Sequence, residues 1–160
     1  FFMGTAAVRV LLPAMQLTQP EVVDVSMPAE GIFHNLVIVS IKKEYTGHAR
    51  KVMHGLWGMG LLMLAKTIVV VDHYVNVQDP SEVAWRVTNN IDPARDVVFV
   101  DGPIDDLDHA TPVPRYGSKM GIDATAKGPA DGRSRPWPDD IVMSDEIKRL
   151  VDSKWDRYGI

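Results

Sequence analysis

The apolar and polar positions of this chain change period along its length, and the changes mark its elements. Between residues 2 and 17, Val8, Leu11, Leu12 and Met15 recur at helical spacing, which predicts a helix. Pro13 lies within it, and a proline in a helix interior is expected to break or kink it. EVVDVSM (21–27) alternates imperfectly as a strand, PAEG (28–31) reads as a turn, and FHNLVIVSIKK (33–43) reads as a second strand. Leu36 to Val39 are apolar without alternation, the pattern of a strand buried on both faces. The two strands are expected to pair as a hairpin.

Residues 46–66 predict a helix with Thr46 as its N-cap. TIVVVDHYV (67–75) is the clearest strand, a continuous β-branched run. Residues 79–91 predict a helix capped by Asp79 or Ser81, with Pro80 in its first turn and Val83, Val87 and Ile91 on one face. DVVFVDG (96–102) is a further buried strand. In GSKMGIDATAK (117–127), Met120, Ile122 and Ala124 alternate with Lys119, Gly121, Asp123 and Thr125. That is the period of a short half-buried strand, set between an acidic stretch and a Gly- and Pro-rich one. Ser144 caps a last helix (144–158), with Asp145 and Glu146 at its positive end and Ile147, Leu150, Val151 and Trp155 as its stripe.

Strands alternating with helices imply a layered α/β domain with a mixed β-sheet and a tethered C-terminal helix. Right-handed crossovers are expected from the second strand to the third and from the third to the fourth. Residues 1–127 form the domain, 128–143 the tether and 144–160 the terminal helix. So long a connection suggests that this helix packs at a distance, on a partner.

Composition narrows the function classes. The 160 residues are 46% hydrophobic and 24% charged, with a formal net charge of −4, ordinary for a soluble domain and without the basic footprint of a nucleic-acid binder. The absence of cysteine removes disulfides and thiolate chemistry and fits a cytoplasmic location. The apolar N-terminal run is interrupted by Arg9 and Pro13, so no transmembrane segment is expected there, which leaves peripheral membrane contact open. The chain does not begin with Met, and it is expected to be a piece of something longer.

Candidate chemistry is sparse. The basic cluster Lys42, Lys43, His48, Arg50, Lys51 and His54 reads first as a solvated strand end and helical turn, and second as a site for an anion. Gly55, Gly58 and Gly60 within a helix suggest close packing, since each costs about 1 kcal/mol there; phosphate binding is the weaker reading. Asp72 and His73 end a strand where α/β domains place ligand contacts, although a solvated turn is favoured. Asp101, Asp105, Asp106, Asp108 and His109 carry groups that hold hard cations, but their spacing does not match a calcium loop and favours turn-capping. Neither a P-loop nor a hydrolase elbow is present.

Three stretches are specific. PAEGIFHNLVIVSIKKEYTGHARKVMHGLWG (28–58), residues 67–112 and GSKMGIDATAK (117–127) resemble the C-terminal part of the UbiD-type decarboxylases, which include 3-octaprenyl-4-hydroxybenzoate carboxy-lyase of ubiquinone biosynthesis. The resemblance implies reversible decarboxylation of aromatic or α,β-unsaturated acids with prenylated FMN, manganese and potassium. It places the Glu–Arg–Glu proton-handling group and the metal ligands upstream, so no catalytic or metal-ligating residue is assigned here and no cofactor is expected to bind this chain alone. It implies a homo-oligomer that includes the N-terminal flavin-binding region, with the last helix reaching a neighbouring subunit. It also places Ile104, Asp106 and Leu107 on the wall of the substrate pocket. Met120 and Ile122 would face the core, and Lys119, Asp123 and Lys127 would pair with polar groups or a neighbouring subunit. Two other readings compete: a stand-alone assembly module acting through its terminal helix, and an independent nucleotide-binding domain resting on Asp72 and the helix glycines.

Overall fold

Two strands rich in β-branched residues, LVIVSI and TIVVVD, lie side by side in parallel within the sheet. The computed structural model describes residues 2–32 and 34–159. Phe33, where the second strand is expected to begin, and the terminal Phe1 and Ile160 fall outside them. In chain order the elements are α1 (Phe2–Thr18), β1 (Val22–Ser26), β2 (Leu36–Ile41), α2 (His48–Trp57), β3 (Thr67–Asp72), α3 (Pro80–Asn90), a single turn α4 (Pro93–Asp96), β4 (Val97–Pro103), β5 (Tyr116–Asp123) and α5 (Asp145–Ser153).

The five strands form one mixed sheet in the order β1-β2-β3-β5-β4. β2, β3 and β5 run parallel, with β1 and β4 antiparallel at the two edges. The expected hairpin of β1 and β2 is present. Period-two alternation sends Val37, Val39, Ile68 and Val70 to one face, beneath α1 and α2, where Met15, Val52, Met53 and Leu56 close the core. Ile38, Val69, Val71 and Ile122 go to the other face, where Val83, Val87 and Ile91 pack on them. The sheet is therefore covered on both sides, as its apolar strands require.

Several local expectations are corrected. α1 runs unbroken through Pro13; Val8, Leu11, Leu12 and Met15 hold its inner face to the sheet, and the exposed Pro13 removes one backbone bond on the outer side. The helix expected over 46–66 stops at Trp57. Its N-cap is Gly47, not Thr46, and a one-turn 3-10 helix follows at Gly60–Leu64. Gly60 has φ +46°, a conformation that favours glycine. Of the three glycines, Gly55 alone lies inside α2; a Cβ there would come within 2.8 Å of the Gln19 amide, so the packing reading holds at that position. β4 is antiparallel to β5, so the path from β3 to β4 is not a parallel crossover.

The strand expected at 117–127 is β5, and the structure inserts it between β3 and β4, with Thr67 opposite Met120 and Phe99 opposite the same residue on its other side. Met120 and Ile122 do pack into the core.

Candidate functional site

Two ends of the sheet collect the polar side chains. At the amino ends of β2 and β3 lies the loop 104–115, which joins β4 to β5. Its acids are spent on turns and ion pairs. Asp105 pairs with His34 at 3.0 Å and accepts the Leu107 amide at 2.7 Å. Asp108 pairs with Lys66 at 2.6 Å and accepts the Ala110 amide. Asp106 takes a bidentate pair from Arg115, a non-glycine residue at φ +63°. The Arg115 hydrogen bond holds the Asp106 carboxyl below the ordinary carboxylate range, and the Lys66 hydrogen bond does the same for Asp108. Turn-capping by aspartate is thus what the loop does.

The three residues assigned to a pocket wall sit differently on this loop. Ile104 is buried under Gly117, where any Cβ would come within 2.6 Å of its Cδ1. Asp106 is exposed beside Arg115, and Leu107 is 83% exposed at the apex. The loop therefore has a buried apolar root, a braced neck and one aliphatic side chain presented outward.

The carboxyl end is where open α/β sheets usually hold ligands. Here the chain fills it with its own residues 124–131. Asp72, buried at the end of β3, accepts the Ala126 amide at 2.7 Å and the Tyr74 hydroxyl at 3.1 Å; it is neither a solvated turn nor open to a ligand. Burial and the Asp72 charge push the Tyr74 phenol up to about 12. Lys43 donates to the Ala126 carbonyl and to Asp131. Lys127 donates to Asp123 and to the Thr125 carbonyl. Asp123 and Lys127 thus pair within the chain. A cleft of about 230 Å³ between Thr46, Arg50, Arg95 and Lys127 remains. The basic cluster is mostly paired: His48 and Lys51 with Glu21, Arg50 with the Arg95 carbonyl. Among the described residues no group of three His, Cys, Asp or Glu is placed to hold a metal ion. A larger cleft, about 440 Å³, opens between α1 and β1, beside Arg9, Asp24 and Gln78; no sequence signal pointed to it, because its walls come from segments far apart in the chain.

Lys119 is the other group that sequence reasoning left open. It is 2% exposed, and its ammonium donates to the Met63 and Ala65 carbonyls with no acid beside it. Burial lowers its pKa to about 8. Between that value and the ordinary lysine value of 10.5, the unfolded chain binds the extra proton, so stability rises with pH across that window. In Lys119→Met this rise is expected to shrink relative to the natural chain. Urea unfolding at pH 8 and pH 10 checks it; parallel curves would refute it.

The domain is a mixed sheet with helices on both faces that roots a braced loop at one end and is sealed by its own chain at the other. The family model described as "3-octaprenyl-4-hydroxybenzoate carboxy-lyase C-terminal domain" matches residues 1–124, and the chain belongs to that family. A protein of Aquifex aeolicus, described as uncharacterized, is 53% identical over 159 residues, which is 99% of this chain and 33% of that protein. The closed form of vanillic acid decarboxylase from Sedimentibacter hydroxybenzoicus superposes with a TM-score of 0.84 at 27% identity, covering 98% of this chain and 33% of that one. An evolved dimeric form of the UbiD-class enzyme HmfF from Pelotomaculum thermopropionicum, in complex with prFMN, gives 0.66 at 28% identity over 92% of this chain and 29% of that one. The chain thus spans about a third of the length of these relatives. Among the described residues no helix is long and apolar enough to cross a membrane.

Proposed function

We propose that this chain is the C-terminal part of a carboxy-lyase that reversibly decarboxylates aromatic or α,β-unsaturated acids, quinone-precursor benzoates among them, in the cytoplasm. Its role is to supply one wall of the substrate pocket and to hold subunits together. Prenylated FMN, manganese and potassium are assigned to the upstream flavin-binding part.

The observation that carries the pocket-wall role is the loop 104–115. Its acids are tied to His34, Lys66 and Arg115, and Leu107 stands outward at a fixed place. In that place Leu107 would meet the apolar body of the acid and Asp106 its rim, while Ile104 keeps the wall rigid. In the enzyme that includes the upstream part, Leu107→Ala is expected to lower kcat/KM by roughly tenfold or more, the range for trimming a pocket's apolar surface. Its melting temperature should stay put, since the side chain buries little. Unchanged CO2 release would remove Leu107 from the pocket. Vigorous decarboxylation by the 160-residue chain alone would overturn the assignment of chemistry to the upstream part.

A second reading, an assembly module, is favoured by α5. None of its residues is buried, and Ile147, Leu150 and the following Trp155 are exposed. Under either reading the helix docks on another subunit, and deleting 144–160 should lower the mass seen by light scattering.

A further inference from the structure

Arg86 lies on α3 with its side chain 6% exposed. Its Nη1 and Nη2 donate to the two carboxylate oxygens of Asp140 at 2.7 and 2.6 Å. The Trp85 and Tyr74 rings lie 4.6 and 5.3 Å from its guanidinium carbon, and Glu82 stands 3.7 Å from Nη2. This is a planar, bidentate carboxylate seat with aromatic walls, the setting in which arginine outperforms lysine.

Two details go beyond a static ion pair. The Arg86 Nε is buried and has no acceptor, so Asp140, approaching end-on, leaves one donor of the fork unused. A buried donor without a partner is unfavourable, and a carboxylate turned side-on would engage it. The second detail is the leash. Every other hydrogen bond or ion pair of the described segment 133–159 stays within 128–159. The Arg86–Asp140 pair is its polar tie to the rest of the chain. The Asp140 carboxyl is held below its ordinary range by the Arg86 hydrogen bond, so a change of pH near neutrality does not undo the tie.

We propose that Arg86, walled by Trp85 and Tyr74, is a carboxylate-binding site that Asp140 fills in cis, and that a free monocarboxylate with an apolar or aromatic body displaces Asp140 and releases the arm carrying α5. The exposed Trp85 and Tyr74 rings supply the surface for that body. Release would change where the apolar helix points without altering the sheet.

The test uses the 160-residue chain, whose lack of cysteine permits site-specific spin labels at Thr88→Cys and Ser153→Cys. Sodium benzoate is titrated against sodium chloride at equal ionic strength, and the Arg86 Nε–H resonance is followed. In Asp140→Asn a saturable shift is expected at a benzoate concentration at least tenfold lower than in the natural chain. In the natural chain the same shift should accompany a longer distance between the labels. No saturable shift in Asp140→Asn, or an equal response to chloride, overturns the site. If Asp140→Asn loses the amide spectrum of the folded sheet, the natural chain decides: benzoate must both shift Nε–H and lengthen the label distance, and failure of either refutes the proposal.

Discussion

Lys127→Met is expected to lower the free energy of unfolding by about 3–5 kcal/mol, the range for removing one partner of a buried charge pair. The Lys127 side chain is 2% exposed. It donates to the Asp123 carbonyl at 2.8 Å, to the Asp123 carboxylate at 3.1 Å and to the Thr125 carbonyl at 2.6 Å, and it stands 3.9 Å from Asp96. Burial lowers its pKa, against the raising effect of Asp123 and Asp96. Methionine preserves length and volume but leaves the buried Asp123 side chain without its lysine partner, with the Thr125 amide and hydroxyl as its remaining donors. Asp96 adds a pH signature. Burial acts to raise its pKa, but the Arg95 hydrogen bond, the Asp92 amide and the Lys127 charge outweigh burial and hold it below 3.8. A depressed carboxylate contributes stability above its unfolded value, and that contribution is lost as pH falls through the folded value. Without Lys127 the folded value rises toward the ordinary one, so acid unfolding should begin at higher pH. Urea titrations at pH 7 and pH 3 measure both effects; a loss under 1 kcal/mol at pH 7 would show that Lys127 does not hold this corner.

Gly121→Val is the second large effect, an expected loss of about 3 kcal/mol or more from overpacking. Gly121 lies in β5, between β3 and β4. A Cβ there would stand 2.5 Å from Met53 Sδ, 2.9 Å from Val98 Cγ1 and 3.1 Å from the Trp57 ring. Met53 is flexible enough to give way. Trp57 is not, because its Nε1 donates to the Ala65 carbonyl at 3.0 Å, and Val98 is fixed by its place in β4. Valine's preference for strands offsets a fraction of the loss. Gly128 is the matched control: nothing lies within 4 Å of its Cβ position and its φ is −113°. Gly128→Ala should therefore stay within about 0.5 kcal/mol of the natural chain. If the two substitutions behave alike in chemical unfolding, Gly121 is not a packing constraint.

What the sequence by itself determined lies in short-range patterns. The β-branched runs of β2 and β3 specified strands buried on both faces, because a run without alternation has apolar groups to hide on each side. Asp79, Pro80 and Ser81 marked the start of α3, and the structure settles the cap on Asp79, whose carboxylate accepts the Ser81 and Glu82 amides. Ser144 likewise caps α5. The long motifs identified the family. Tertiary structure alone decided the rest. Period two in 117–123 tells which side chains share a face but not which strands lie alongside, so the insertion of β5 between β3 and β4 was invisible. The fates of Lys119, Asp123 and Lys127 followed from that insertion. A charge reads as surface until a distant carbonyl or carboxylate meets it, and here Met63 and Asp96 come from elsewhere in the chain. Pro13 and Thr46 were misjudged for a related reason. A cap is worth about 1 kcal/mol and an interior proline costs about 3 kcal/mol, and packing of a whole helix face against the sheet outweighs either.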